Sequence, residues 1–408
     1  MRVLVVNRYW RSFGGVEEVV RDTVSVLEQR GHDVVPFAME APENWDTPWS
    51  RYFASNVEFH HAGSSGRLRG ARRAISGRDA RRALARLLDD VEIDVAHVFS
   101  VYHYLGTGVL AELRRRHIPV ILSLHDYKVG CPNVTLYSDR TRRPCTVCLD
   151  QPLGYAWAPP ALRCRRSSVG AGLVLSAEAI TARTRGVYSR APGAVTVLNS
   201  LQRRAAERAG VDPARIHYVP NSVELEELST NPRERHVLYV GRLTTEKGVD
   251  VLLDACAHAG LTLRVVGDGP ARAELAAHAD RVGGDVTFTG PLARPDALHE
   301  MRTAAVVAVP SLWPDVAPLV VTEAWSVGTP VVGSELGGLG EFLEEGRGLP
   351  CPPADPEALG DALRRLVDTP ALGVEMVAHG RQYAQTELSR ERWLERMGAV
   401  YAAVGATL

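Results

Sequence analysis

Two cations and two carboxylates in the C-terminal half of the chain have the types and spacing of a site for a phosphorylated sugar. Arg242 follows Gly241 at the end of the apolar run 237–240, and Lys247 precedes Gly248 and a segment in which Val249, Leu252, Leu253 and Cys256 recur at helical spacing. Both positive charges therefore fall at a strand-to-helix turn, where a helix N-terminus adds backbone donors suited to phosphate. Arginine grips two phosphate oxygens with its planar fork, and lysine supplies a mobile point charge. As a sugar leaves a diphosphate, negative charge grows on the leaving group, so fixed cations lower the transition state more than the ground state. The plainer reading is a solvated helix start. Asp315 and Glu323 stand eight positions apart, the first in the loop after the apolar run 306–309 and the second on a helix that Pro318 starts. Carboxylates accept hydrogen bonds from hydroxyls, so one can hold the sugar and the other a ribose, with the amide of Leu319 near the diphosphate. The plainer alternative makes Asp315 a turn residue and Glu323 a surface one. The apolar neighbours Leu319, Val320, Val321, Ala324 and Trp325 weigh against a solvated Glu323.

The N-terminal half offers fewer such residues. Gly14-Gly15 lies between a first strand and a helix starting near Val16, where missing side chains let a ligand approach the helix N-terminus; alone it is also an ordinary turn. His125 ends the apolar run 120–124 and precedes Asp126, so it belongs at the carboxyl edge of a sheet, able to hydrogen-bond a sugar or position an acceptor hydroxyl. A lone histidine is more often structural, and His97 is expected to be that kind. The turn 265–270 carries Gly267-Asp268-Gly269 but lacks the third glycine of a dinucleotide fingerprint, which argues against a nicotinamide enzyme. No Asp-x-Asp pair is present to hold a divalent cation against a diphosphate, which leaves that work to Arg242 and Lys247.

These residues need a scaffold that presents strand ends. Short apolar runs at 3–6, 34–37, 94–98, 120–124, 194–198 and 216–219 alternate with helical patterns, and the alternation restarts at 236–240, 262–266, 286–289, 305–309 and 330–333. The expected fold is α/β, with two Rossmann-like doubly wound domains facing an interdomain cleft and a C-terminal helix crossing between them. The expected boundaries are an N-terminal acceptor-binding domain at 1–223, a polar linker at 224–235, a nucleotide-sugar-binding domain at 236–387 and the crossover helix at 388–408. A length of 408 residues suits two domains. The formal net charge of -1 argues against a nucleic-acid partner. Residues 1–7 read as a strand rather than a signal peptide, and no apolar run is long enough to span a bilayer, so the expected location is cytoplasmic.

Taken together, these segments resemble the family-4 retaining glycosyltransferases of GT-B fold. The resemblance is carried by Gly14-Gly15-Val16-Glu17, the segment around His97, Leu124-His125-Asp126, Val219-Pro220-Asn221-Ser222, Gly241-Arg242 with Glu246-Lys247-Gly248, Gly267-Asp268-Gly269, Thr289-Gly290, and Pro310-Ser311-Leu312-Trp313 leading to Glu323-Ala324. It implies transfer of a sugar from a nucleoside-diphosphate donor to an acceptor hydroxyl with retention of configuration and without a metal for the chemistry. It implies Arg242 and Lys247 on the diphosphate, Asp315 on the donor sugar, Glu323 on the ribose and His125 beside the sugar, with Gly15, Gly267 and Leu319 also donor-binding. The family usually has glutamate where this chain has Asp315, one methylene shorter, which bears on sugar identity. The rival readings are a nucleotide-sugar epimerase or phosphorylase of similar fold, or a noncatalytic nucleotide-sugar-binding partner.

Two further features lie outside that constellation. Cys131, Cys145, Cys148 and Cys164 fall in one loop, 131–164, with a central Cys-x-x-Cys. The spacing fits a structural zinc, and equally a set of reduced thiols packing the loop. From Arg67 to Arg86 eight arginines alternate with apolar residues at helical spacing. The segment reads either as a basic amphipathic helix touching an anionic membrane peripherally, or as the solvated face of a crossover helix.

Overall fold

A computed structural model describes residues 1–56, 70, 75–228 and 232–408. The chain divides into two units, one of Met1–Arg140, Cys145–Val219 and Leu394–Leu408, the other of Thr141–Pro144 and Pro220–Trp393. Each contains a six-stranded sheet in which every pairing is parallel.

In the first unit the strands are β1 (Arg2–Val6), β2 (Asp33–Phe37), β3 (Val95–Val98), β4 (Val120–Ser123), β7 (Ala194–Val197) and β8 (Ile216–Tyr218), in the order β2-β1-β3-β4-β7-β8; the cysteine loop adds two-residue strands, β5 (Tyr137–Ser138) in this unit and β6 (Arg143–Pro144) in the other. Val3 to Val6 and Val120 to Leu122 are buried, as continuous β-branched and aliphatic runs must be when helices cover both sheet faces. The order reverses beside β1, whose neighbours are β2 on one side and β3 on the other. The loops leaving β1 and β3 thus diverge there, at the kind of position where open α/β sheets bind ligands.

The second unit repeats the plan with β9 (Glu234–Val240), β10 (Thr262–Val266), β11 (Val286–Gly290), β12 (Ala304–Val309), β13 (Val331–Ser334) and β14 (Leu349–Cys351), ordered β11-β10-β9-β12-β13-β14. Here β9 is the reversal strand, flanked by β10 and β12. Its side chains alternate as a pleated strand requires: Val237 and Tyr239 pack with helices Val249–Ala259 and Pro356–Asp368, while Leu238 faces Trp325 and Leu339. Trp325 is fully buried and its indole N–H donates to the carbonyl of Arg347 at 3.1 Å. Burying a side chain of that size contributes roughly 4 to 6 kcal/mol before entropy.

Among the described residues eleven of the fourteen strands stand where the apolar runs placed them; β5, β6 and β14 are additional. Beyond Asp355 the chain is helical, in Pro356–Asp368, Pro370–Glu387 and Arg390–Ala403. The last helix is divided between the units at Trp393 and Leu394. In the first unit its Tyr401 hydroxyl lies 3.1 Å from His97 Nδ1. Residues 229–231 of the expected linker, and 67–69 and 71–74 of the expected basic helix, lie outside the described residues. Helix Arg78–Asp90 turns Ala80, Ala83, Leu84 and Leu87 inward, and Arg81 pairs with Glu112 at 2.9 Å. Its apolar face is thus committed to the core, which supports the crossover-helix reading of that part of 67–86. Among the described residues no helix is long and apolar enough to cross a membrane.

Candidate functional site

Three adjacent strands of the second unit, β10, β9 and β12, deliver the expected donor residues on the loops at their carboxyl ends. Backbone hydrogen bonds stitch the first two loops together: Gly241 N–H donates to Val266 O at 3.0 Å and Leu243 N–H to Asp268 O at 2.9 Å. Gly267 is obligatory at this crossing. Its φ is +133° and a Cβ would come within 1.9 Å of Gly241 O. Arg242 projects from the same turn and is exposed, while Tyr239 Oη donates to its carbonyl at 3.0 Å. Burial, with Asp315 and Glu246 nearby, holds the Tyr239 phenol well above its ordinary range, so it stays a donor.

The β9 and β12 loops meet through Leu312 N–H to Glu246 O at 2.8 Å. This contact brings Lys247 against Asp315, with Nζ to Oδ2 at 2.7 Å, and Ser311 Oγ donates to the same oxygen at 2.8 Å. Lys247 Nζ also lies 5.2 Å from the centre of the Trp313 ring. The Asp315 side chain is 8 % exposed and that of Lys247 25 %. A cation and an acid expected to touch a ligand at separate points are therefore each other's partners. Glu323 sits on the helix Leu319–Ser326, where Oε1 accepts from Arg294 Nε at 3.1 Å. Leu319 opens that helix after Pro318. Arg294 left no signal in the sequence, and Ser311 stood there only as part of the segment 310–313, with no role assigned to it.

In the first unit His125 follows β4 and stacks on Phe99 at 5.7 Å between ring centres. Burial holds its imidazole down to about 4, so it is neutral at physiological pH. Asp126 beside it accepts from Lys128 N–H at 2.8 Å, and burial pushes its carboxyl up to about 6. Sequence reading treated Asp126 only as the neighbour of His125; burial at a strand end is the signal that marks it. His97 is fully committed, with Nε2 2.7 Å from Ser123 Oγ and Nδ1 bonded to Tyr401. Gly15 is exposed at the start of helix Gly15–Gln29, whose Glu17 accepts from Asn7 Nδ2 and from Arg8 Nε, each at 3.3 Å. Arg8 and Arg11 lie over the rings of Tyr9 and Phe13, and Arg8 also over Tyr104.

The first unit also holds a polar cluster that no motif announced. Lys128 Nζ donates to Glu178 Oε2 at 2.7 Å, and His103 Nδ1 is 3.0 Å from that oxygen. Lys128 and Glu178 are both buried, fifty residues apart in sequence. Against burial, which pushes it up, the neighbouring His103 and Lys128 hold the Glu178 carboxyl down at about 2.

The four loop cysteines are free thiols, three of them buried. The thiols of Cys131 and Cys148 are neighbours, which pulls that of Cys131 down and pushes that of Cys148 up, while burial pushes Cys164 up to about 12. Among the described residues no group of three or more His, Cys, Asp or Glu is gathered to hold a metal ion. The thiols pack the loop, together with Asn133, whose amide donates to Tyr137 O at 2.7 Å and Cys164 O at 3.1 Å. The structure thus does not support the zinc expectation for Cys131, Cys145, Cys148 and Cys164 among the described residues.

Residues 13–227 match the family described as Glycosyltransferase Family 4, and residues 234–369 match Glycosyl transferases group 1. The glycogen synthase of Mycobacterium tuberculosis (strain ATCC 25618 / H37Rv) is 32 % identical over 204 residues, covering 48 % of this chain and 47 % of that protein. The chain spans about half the length of the curated relatives it matches. Among solved structures, sucrose-phosphate synthase from Thermosynechococcus elongatus has a TM-score of 0.73 at 20 % identity, covering 99 % of each chain. Anabaena Alr3699/HepE in complex with UDP and glucose has a TM-score of 0.66 at 17 % identity, covering 99 % of this chain and 100 % of the other. These two likenesses are of fold.

Proposed function

The chain belongs to glycosyltransferase family 4, and from that premise we propose that it transfers a sugar from a nucleoside diphosphate to an acceptor hydroxyl with retention of configuration. The observation that carries this reading is the convergence of Arg242, Lys247 and Asp315 on loops at the carboxyl ends of β9 and β12, beside the tight Gly267 turn. In this reading Arg242 and Lys247 meet the charge that grows on the leaving diphosphate, which preorganised cations stabilise without rearrangement. Lys247 is oriented for that task by Asp315 and Ser311. Asp315 turns its remaining acceptor capacity to the donor sugar, and Glu323, steadied by Arg294, receives the ribose hydroxyls. Leu319 offers its amide to the diphosphate at the start of its helix. The close backbone approach at Gly267 leaves that turn without a side chain to obstruct the donor.

The acceptor falls to the first unit. The neutral His125 imidazole and the Asp126 carboxyl present one donor-acceptor ring and one acceptor at the end of β4. The Tyr9, Phe13 and Tyr104 rings with Arg8 and Arg11 offer apolar faces and cations at the end of β1, near the open start of the Gly15 helix. A sugar-like or phosphorylated acceptor suits both. Uridine nucleotides are the first donors to try, because the Anabaena neighbour carries UDP and glucose.

The test is incubation of the purified chain with a panel of nucleoside-diphosphate sugars and hydroxyl acceptors, following nucleoside diphosphate release and the anomeric configuration of the product. Donor-dependent transfer with retention is expected, and Arg242→Ala should lower turnover by about two orders of magnitude or more. Isomerised donor without an acceptor would instead make the chain an epimerase. Donor binding with neither hydrolysis nor transfer would make it a noncatalytic binding partner.

A further inference from the structure

The packed helices Gly154–Leu162 and Val169–Thr184 break the ordinary rule for a surface helix, which keeps its apolar stripe inward and its charges outward. On the second helix Val169 is 43 % exposed, Leu173 57 % and Ile180 41 %. With Ala177 they follow helical spacing along one outward face, about 16 Å long. On the first helix and its entry, Leu153 and Trp157 are 63 % and 46 % exposed, again one turn apart. The helices cannot rotate to hide these residues. A Cβ on Gly172 would lie 2.5 Å from the backbone of Pro159, so the inner faces are in close contact. Glu178 fixes the same inner face through its buried pair with Lys128.

The hairpin's own charge is predominantly positive, although Asp139 accepts from the Arg166 N–H at 2.7 Å and the exposed Asp150 precedes Leu153 by three residues. Between Leu153 and Arg190 there are six arginines and a single acid, Glu178, which is buried. Arg163 and Arg166 lie at one end of the long stripe and Arg185 at the other, all exposed. We propose that this hairpin docks on the surface of an anionic lipid bilayer, with Trp157, Leu173 and Ile180 entering the headgroup region and the arginines on the lipid phosphates. A tryptophan and cationic ends around an apolar face are the composition of an interfacial element, not of a spanning one. A second copy of the chain is a poorer occupant, because an isologous contact would face arginine clusters against each other. Helix Arg78–Asp90, with its apolar face buried, has no comparable surface. The proposal does not depend on the glycosyl-transfer reading, since docking is measured without turnover.

The experiment is flotation of the full-length chain with vesicles of phosphatidylcholine alone and of phosphatidylcholine with roughly one third phosphatidylglycerol, at low salt and at about 0.5 M NaCl. The expected result is binding at least about tenfold stronger to the anionic vesicles, weakened by salt, and lowered by about tenfold or more in Leu173→Glu/Ile180→Glu. Because those two side chains are exposed, the variant should unfold at the wild-type denaturant concentration. Leu173→Ser is the gentler replacement if it does not. Absence of wild-type binding to anionic vesicles would overturn the proposal. So would equal binding by the folded variant, or a wild-type dimer that the substitutions dissociate while vesicles capture nothing.

Discussion

The contact between Lys247 and Asp315 can be weighed by a double-mutant cycle. Asp315→Asn keeps the side-chain size but removes the charge from a group that accepts from Lys247 at 2.7 Å and Ser311 at 2.8 Å. A hydrogen bond to a charged group contributes about 1.5–3 kcal/mol. Lys247 keeps a quarter of its side chain in water, so a loss of about 2 kcal/mol is expected for Asp315→Asn. Lys247→Met should cost more, about 2–3 kcal/mol, because it leaves the nearly buried carboxylate with only the Ser311 hydroxyl. In the double variant neither charge remains to be stranded, so its loss should fall short of the sum by about 1.5 kcal/mol. Urea unfolding of the four proteins at low ionic strength measures this coupling. Additivity within about 0.5 kcal/mol would refute the inference that Asp315 orients Lys247. The cycle tests positioning directly, with no ligand present.

Three other outcomes follow from the geometry. The His97 imidazole is held at about 3 by burial and by the nearby His125, against an ordinary value of about 6.5 in the unfolded chain. Between those values the unfolded chain binds the extra proton, so stability falls as pH drops below about 6.5, by about 1.4 kcal/mol per pH unit. His97→Asn should flatten that slope by about 2 kcal/mol between pH 6.5 and 5, and an unchanged slope in urea titrations at those pH values would contradict the buried neutral assignment. Gly267→Ala should lose at least about 2 kcal/mol, since neither its φ nor the Gly241 carbonyl leaves room for a methyl group; a wild-type melting temperature would count against the crossing. Lys128→Met should cost about 3–5 kcal/mol by leaving Glu178 buried without its cation, whereas Lys128→Met/Glu178→Leu should recover much of that loss in the same unfolding assay.

Much of the scaffold could be read from period and run length because parallel strands buried on both faces must be continuously apolar. β14 escaped because Leu349-Pro350-Cys351 is three residues long with a proline in its centre, a pattern tolerated only at a sheet edge. The cysteine loop left two readings open for a different reason. Ligand spacing in sequence says which thiols are near one another, but not whether they gather round a common ion. The cluster of His103, Lys128 and Glu178 left no local trace at all, because a buried ion pair is defined by two segments whose periodicities are each unremarkable.

The four residues expected at the donor mark the limit of what sequence shows. Arg242, Lys247, Asp315 and Glu323 were identifiable as chemistry-bearing types at strand ends, and each lies on the loop or helix its neighbours imply. What could not be read was the partner of each. Pairing of Lys247 with Asp315 depends on β9 and β12 being neighbours in the sheet, although β10 and β11 separate them in the chain. A reversal at β9 is therefore what converts two distant loops into one charged contact. The same reversal draws the β10 loop in from the other side, and Gly267 is the residue that lets it close. Shortening glutamate to aspartate at position 315 consequently acts first on the reach toward Lys247 and Ser311, and only through them on any sugar. Asp315→Glu is thus expected to disturb the lysine before it restores a longer sugar contact, a sequence of effects that the lysine cycle can separate from donor preference.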